Sequence, residues 1–173
     1  MARPAAARAQ RQGGSGWLEL GVSAVVVSVL AALLLAALLA QQALAEKATV
    51  ELTILNLRTG LRLAVAELII AGREREVASL AGANPVRWLE RPPEGYLGEI
   101  DTPEDPARMP GGAWYFDRGR RELVYRVSHD GGFETLPGEP AVVRLQVALE
   151  RGSARKEALL GVVLRVNNRY NWR

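Results

Sequence analysis

The stretch that decides the fold is residues 20–45, which read LGVSAVVVSVLAALLLAALLAQQALA and contain no charged side chain. Within it, residues 20–40 are apolar or small without exception. About 20 such residues form a helix long enough to cross a bilayer. No second apolar run of this length occurs among the 173 residues, so the sequence predicts a protein that crosses a membrane once.

The charges on either side of this run give it an orientation. Residues 1–14, MARPAAARAQRQGG, carry three arginines and no acid, while Glu46 and Lys47 follow the run. The positive-inside rule then predicts that this basic leader stays in the cytoplasm and that the C-terminal part crosses the membrane. The rest of the chain holds 19 basic and 19 acidic residues. The net charge of +3 therefore comes from the leader, and we predict no nucleic-acid partner.

The composition excludes several classes of chemistry. The chain has no cysteine, which removes disulfides, thiol catalysis and cysteine zinc sites. It has a single histidine, His129, in a turn, so a histidine-rich metal centre and a Ser-His-Asp hydrolase are both disfavoured. No P-loop, dinucleotide-binding fingerprint or HExxH motif is present. We therefore predict a protein that is not an enzyme and that holds no metal or cofactor, with His129 as a solvated turn residue.

Glu19 is the anomaly at the front of the apolar run. A carboxylate within a membrane helix costs up to about 2.5–3.5 kcal/mol and usually has a partner. A peptidase cut between Gly14 and Ser15 would create a new α-amine four residues before Glu19, and such positions share one face of a helix. The amine would then face this carboxylate or that of a neighbouring subunit. The alternative is that Glu19 lies in the lipid headgroup layer without a specific role.

This arrangement resembles the type IV pilins and the pseudopilins of type II secretion. Gly14 matches the glycine before their cleavage site, Ser15 the new N-terminus and Glu19 the glutamate at the fifth mature position. The chain departs from the family pattern in having Ser15, Gly16 and Trp17 where Phe or Met, Thr and other residues are usual.

The resemblance implies a filament subunit of the bacterial inner membrane, with its C-terminal domain in the periplasm. Its implied partners are a prepilin peptidase, the assembly platform of the inner membrane, membrane lipid and other pilin-like subunits. The segments NPVRWLERPP (84–93), YLGE (96–99) and WYFDRGRRELVYRV (114–127) are most similar to small pilin-like proteins of the mannose-sensitive haemagglutinin pilus type.

The helical pattern continues beyond the membrane run. Apolar residues recur in steps of four and three at Val50, Ile54, Leu57, Leu61, Ala64 and Leu68. We predict one nearly continuous helix from about Trp17 to about Leu80. Residues 15–45 are assigned to the segment in lipid or a filament core, and residues 46–82 to the periplasmic half of the long helix. Gly60 and Gly72 weaken the helix. The alternative is a break near Gln41-Gln42 or Gly60.

The remaining residues predict a sheet. Residues 83–112 form a Pro/Gly-rich loop with a short strand near 96–100, held to the core by Trp88, Leu89 and Tyr96. In residues 113–173, strands are predicted near 113–116, 122–128, 143–149 and 160–167. The first two form a hairpin, in which Leu123 and Tyr125 lie on one face and Val124 on the other, and apolar residues alternate through 143–149. The expected fold is therefore α+β, with the long helix packed on a four-stranded antiparallel sheet.

Two weaker patterns and two alternative functions remain. The acidic residues at 101, 104 and 105 lack the frame of a calcium loop. Arginines 118, 120 and 121 follow an aromatic run, which we interpret as exposed turn residues rather than a nucleic-acid surface. The chain is alternatively an uncleaved single-pass membrane protein with a periplasmic binding domain, or a secreted soluble protein cut after Ala45 at Ala43-Leu44-Ala45.

Overall fold

The computed structural model of the chain describes residues 15–101, 105–129, 132–151 and 160–172. The chain forms two compact units, Met1–Gln41 and Gln42–Arg173. Helix α1, Ser15–Ile70, begins in the first unit and ends in the second. Among the described residues it is the one helix long and apolar enough to cross a membrane, and none of its most apolar 18 residues is buried.

The predicted end of the helix at Leu80 is wrong, because α1 ends at Ile70. The N–H of Gly72 donates to the carbonyl of Ile69 at 3.0 Å, and the N–H of Arg73 donates to that of Leu68 at 2.8 Å. Gly72 has a φ of 68°. This pair of bonds is the Schellman motif, which closes a helix where glycine adopts the left-handed conformation. Short 3₁₀ helices follow at Glu74–Leu80 and Pro85–Trp88.

The alternative break inside α1 is not found, since Gln41, Gln42 and Gly60 all lie within one helix. Gly60 has a packing role instead. A Cβ atom built at this position would lie 2.7 Å from the carbonyl oxygen of Trp88. The missing side chain thus allows the loop after α1 to approach the helix backbone closely.

The predicted four-stranded antiparallel sheet is wrong in strand number and in direction. The main sheet is mixed and has five strands in the order β1-β2-β3-β5-β6. The strands are β1 (Tyr96–Ile100), β2 (Trp114–Asp117), β3 (Glu122–Arg126), β5 (Val142–Arg151) and β6 (Leu160–Val166). A separate pair is formed by β4 (Phe133–Glu134) and β7 (Asn171–Trp172).

Strand β1 was predicted as a short strand of the loop but not as part of the sheet. It pairs with β2 in parallel, while the other neighbours in the main sheet are antiparallel. Parallel neighbours need a crossover connection of a dozen or more residues. The chain between Ile100 and Trp114 is long enough, and it contains a short 3₁₀ helix at Pro106–Arg108. The Pro/Gly-rich loop therefore adds a strand to the edge of the sheet.

The core of the second unit joins α1 to one face of the main sheet. Val50, Ile54, Leu57 and Leu61 are buried against the sheet, which confirms the predicted stripe over this stretch. Its sheet partners include Trp114, Phe116, Leu123, Tyr125, Val143, Leu145, Val147 and Leu164.

The strand faces and the loop anchors are confirmed as well. Leu123 and Tyr125 face the helix, whereas Val124 lies on the other face of the sheet in a small cluster with Tyr115 and Val142. The predicted loop anchors pack against the main core as partly buried residues: Trp88, Leu89 and Tyr96.

Candidate assembly surfaces and anchoring clusters

The predicted processing site is only partly within the described residues. Gly14 lies outside them, and Ser15 is the first residue of α1. Glu19 is exposed in the first turns of the helix and forms no ion pair with any described residue. In the first unit the large apolar side chains are exposed as well, with Leu20 at 71 % and Leu30 at 60 %. This surface is suited to lipid or to other apolar helices.

The second unit carries an exposed apolar stripe that the sequence interpretation missed. We use the name outer stripe for positions 48, 52, 55, 59, 63, 66 and 70 of α1, which are spaced three or four residues apart. Its residues are apolar except for Thr59, and all are exposed except Ala66, which is half-buried. Its large members are Leu52, Leu55, Leu63 and Ile70, which are 60 %, 55 %, 60 % and 86 % exposed. At about 100° per residue, the stripe lies on the side of the helix opposite the buried residues. The second half of α1 therefore has two apolar faces, and its own sheet covers one.

A cluster around Glu46 ties α1 to the end of β3. The side chain of Glu46 is only 8 % exposed. It accepts hydrogen bonds from the hydroxyl of Tyr125 at 2.8 Å, from the N–H of Ser128 at 2.6 Å and from the N–H of His129 at 3.1 Å. We call these four residues the Glu46 cluster. Beside it, Nζ of Lys47 donates to the carbonyl of Trp172 at 2.8 Å.

His129 belongs to this cluster, so the description of it as a solvated turn residue was incomplete. Its ring is 45 % exposed, and Nδ1 lies 2.9 Å from Oε2 of Glu46. Burial raises the pKa of Tyr125, and its hydrogen bond to Glu46 acts in the same direction. The phenol is thus held as a donor to the carboxylate. The geometry supports an anchoring role for Glu46, which the sequence presented only as a charge after the apolar run.

A second cluster surrounds Glu99 on β1. Its carboxylate accepts hydrogen bonds from Nδ2 of Asn84 at 2.9 Å, Nε of Arg118 at 2.8 Å and Nη2 of Arg87 at 2.9 Å. The hydrogen bond from Asn84, followed by that from Arg118, lowers the pKa of Glu99 to about 2. Asn84 is buried, and its own side chain accepts from the N–H of Val86 at 3.1 Å. Glu99 therefore joins the loop after α1, β1 and the β2–β3 turn.

The weaker candidates have structural contacts. Asp101 pairs with Nη1 of Arg118 at 3.1 Å, and Glu104 lies outside the described residues. In the part of the chain that is described, no group of three or more acidic or histidine side chains is placed to hold a metal ion. Asp101 and Asp105 therefore do not form part of a metal site there.

The aromatic residues before the arginines are part of the fold. Trp114 and Phe116 lie in the main core, and Tyr115 lies in the small cluster on the opposite face. Arg120 and Arg121 are exposed in the turn, as predicted. The aromatic rings are therefore buried away from the surface that these arginines occupy.

Comparison with models of protein families, with curated proteins and with solved structures finds no match for this chain. The molecule is an α+β protein, and its described residues include one helix, near the N-terminus, that is long and apolar enough to cross a membrane.

Proposed function

We propose that this protein is a minor pilin-like or pseudopilin subunit of a type IV pilus or a type II secretion filament. A prepilin peptidase cuts it between Gly14 and Ser15. The protein is held in the bacterial inner membrane by residues 15–45, with its C-terminal domain in the periplasm, until an assembly platform adds it to the filament. The proposal is supported by the basic leader, by the position of Glu19 and by the exposed apolar helix.

The observation that carries the proposal is the outer stripe. Soluble proteins rarely leave a continuous apolar surface uncovered, and larger patches usually mark interfaces. Leu52, Leu55 and Leu63 lie on the part of α1 that packs on its own sheet, and each is more than half exposed. An apolar helix from another subunit would cover them. A filament core built from such helices would bury the outer stripe together with the apolar part of the first unit.

Assembly exchanges one apolar environment for another. Residues 15–45 leave the lipid and pack against equivalent helices, so van der Waals contact between helices replaces contact with lipid. The new amine of Ser15 pairs with Glu19 of a neighbour. A charge left without a partner in this apolar setting is costly, so the pairing selects one axial register.

The mature N-terminus distinguishes this proposal from its alternatives. Intact-mass analysis of the protein from its own cells is expected to give a chain that starts at Ser15, with a methylated amine. A chain that starts at Met1 would identify an uncleaved membrane protein with a periplasmic binding domain. A chain that starts at Glu46 would identify a secreted protein, although Ala43-Leu44-Ala45 lies within α1 and cleavage there requires local unwinding.

The role of the outer stripe in assembly can be tested by introducing negative charge into it. The double substitution Leu52→Glu and Leu63→Glu places two carboxylates on the stripe, and we expect normal folding with loss of the protein from sheared filaments by immunoblot. The matched control is Asn56→Glu, which adds a carboxylate at an exposed position of the same helix outside the stripe. Equal incorporation of the double variant and the control would contradict the proposal.

A further inference from the structure

A groove runs between α1 and strand β6 in the second unit. Two adjoining depressions form it and share Arg58 in their walls, with volumes of about 240 Å³ and about 630 Å³. We call it the lateral groove. Arg58 and Arg62 line the α1 side at one end, and Leu52 and Leu55 line it at the other. Its remaining walls include Val162, Leu164, Val166 and Tyr170.

One edge of strand β6 has no sheet partner, and the 3₁₀ helix Glu74–Leu80 also lies close to this strand. Strand β6 is the last strand of the main sheet and pairs only with β5. Within the described ranges, no backbone hydrogen bond joins β6 to a segment on its outer side. A row of unpaired N–H and C=O groups is a template for a further strand, and proteins bind extended peptides in this way.

The charge of the groove selects the partner. Arg58 and Arg62 are both exposed, and neither forms an ion pair with another described residue. The acid in the wall is Glu51, at the apolar end. On the outer face of β6, Arg165 lies 4.0 Å from Glu150. The end of the groove next to Val162 and Leu164 is therefore basic.

The spacing of the two arginines fits a strand. Arg58 and Arg62 are four residues apart, so they share a helix face about 6 Å apart along the axis. Alternate side chains of a strand point the same way and are about 6.7 Å apart. Two acidic residues at alternate positions of a strand added to β6 would each face one arginine. The next side chain on that face would point to the apolar end.

We propose that the lateral groove and the edge of β6 bind an extended acidic segment of a partner polypeptide. The segment pairs with β6 as a sixth strand and places acidic, acidic and apolar side chains at three successive alternate positions. The acids face Arg62 and Arg58, and the apolar residue contacts Leu55 and Val166. The apolar end of the groove shares Leu52 and Leu55 with the outer stripe, whereas Arg58, Arg62 and β6 lie outside the stripe. Binding of the segment by a single chain does not depend on filament assembly.

The test uses the full chain in detergent micelles and a fluorescent, blocked peptide of sequence Thr-Asp-Thr-Glu-Thr-Val-Thr. We expect saturable binding by fluorescence anisotropy. The double variant Arg58→Glu and Arg62→Glu should weaken binding by about tenfold or more, because reversal of both charges replaces attraction with repulsion. The matched control Arg91→Glu changes an exposed arginine on a different groove and should leave binding unchanged.

Strand addition is tested separately from charge attraction. Hydrogen exchange at the amides of β6 should slow when the peptide is bound, and a peptide with an N-methylated backbone should not bind. A peptide with lysine in place of both acids should not bind either. The proposal is overturned if the acidic peptide fails to bind, if the double variant binds it equally well, or if it binds without protecting β6.

Discussion

Glu46 illustrates how a single side chain can connect parts of the chain that are far apart in the sequence. Its carboxylate meets Tyr125, 79 residues later, and His129, 83 residues later. The sequence around Glu46 does not reveal these contacts. A glutamate that flanks a membrane helix and is exposed to solvent would have the same neighbours in the sequence. Tyr125 and His129 also lack a distinguishing motif, since the sequence shows only a tyrosine in a strand and a histidine in a turn. This cluster required the tertiary structure.

Loss of the Glu46 carboxylate should destabilise the second unit. Glu46→Ala removes the acceptor of the Tyr125 hydroxyl, and Tyr125 is a buried residue; a buried donor left without a partner costs about 1–3 kcal/mol. The N–H groups of Ser128 and His129 are exposed and can bond to water instead. We expect a lower midpoint in thermal unfolding of the full chain, followed by circular dichroism. Glu51→Ala, at an exposed position of the same helix, is the control and should change the midpoint little. Equal midpoints for the two variants would show that the cluster is not an anchor.

The pKa of Glu99 predicts a loss of stability in acid. Its folded-state pKa of about 2 is below its ordinary value of 4.5, so the ionised form is favoured by folding. The resulting stabilisation is complete above pH 4.5 and is lost as the pH falls from there towards 2. The urea midpoint of the wild type should therefore drop between pH 5 and about 3.

Glu99→Gln should weaken this dependence on pH, since the glutamine cannot ionise. Glu90→Gln, at an exposed loop position, should keep the wild-type dependence. An unchanged drop in the Glu99→Gln variant would mean that other carboxylates cause it.

At the scale of elements, the sequence predicted the helix face, the β2–β3 hairpin and the alternating faces of β3 and β5. Each depends on a short-range period, which sequence shows directly. The end of α1 was missed because Gly72 was interpreted as a weak point, whereas its positive φ closes the helix. The direction of β1 depends on the path of the connection between β1 and β2. The periodicity of apolar residues gives no information about that path. The spacing of apolar residues also contains the outer stripe. It was missed because the sequence interpretation considered only the apolar face that includes Val50, Ile54, Leu57 and Leu61.

Gly60 gives a prediction for the packing of α1 on the following loop. In an exposed helix, Gly→Ala is favourable by about 1 kcal/mol. At this position the added Cβ would lie 2.7 Å from the carbonyl oxygen of Trp88, so the backbone has to move. We expect Gly60→Ala to lower the unfolding midpoint, at a cost of about 1–3 kcal/mol.

The control for this substitution is Gly21→Ala in the same helix, where no atom lies within 4 Å of the added Cβ. It should not destabilise the protein in thermal unfolding. A stabilised Gly60→Ala variant would show that the loop after α1 yields easily and that the close approach is not required.

At the scale of the whole molecule, the proposed filament role depends on the charge of Glu19. Glu19→Val removes a carboxylate from an apolar segment, which should leave membrane insertion intact or improve it. It also removes the proposed partner of the Ser15 amine, so we expect little of this variant in sheared filaments by immunoblot. Glu19→Asp keeps the charge and should retain part of the incorporation. Normal filament content of Glu19→Val, with normal membrane content, would contradict the role in register.

The contact between Lys47 and Trp172 joins residues that are 125 positions apart, and Trp172 is also part of the main core. A ribosome that adds about 5–20 residues per second needs roughly 6–25 seconds to synthesise that interval. Throughout this time the inner side of the helix lacks its last covering strand. Folding of the second unit must therefore wait until Trp172 has been translated, and a nascent chain that stalls before this residue will expose this part of the core to chaperones and proteases.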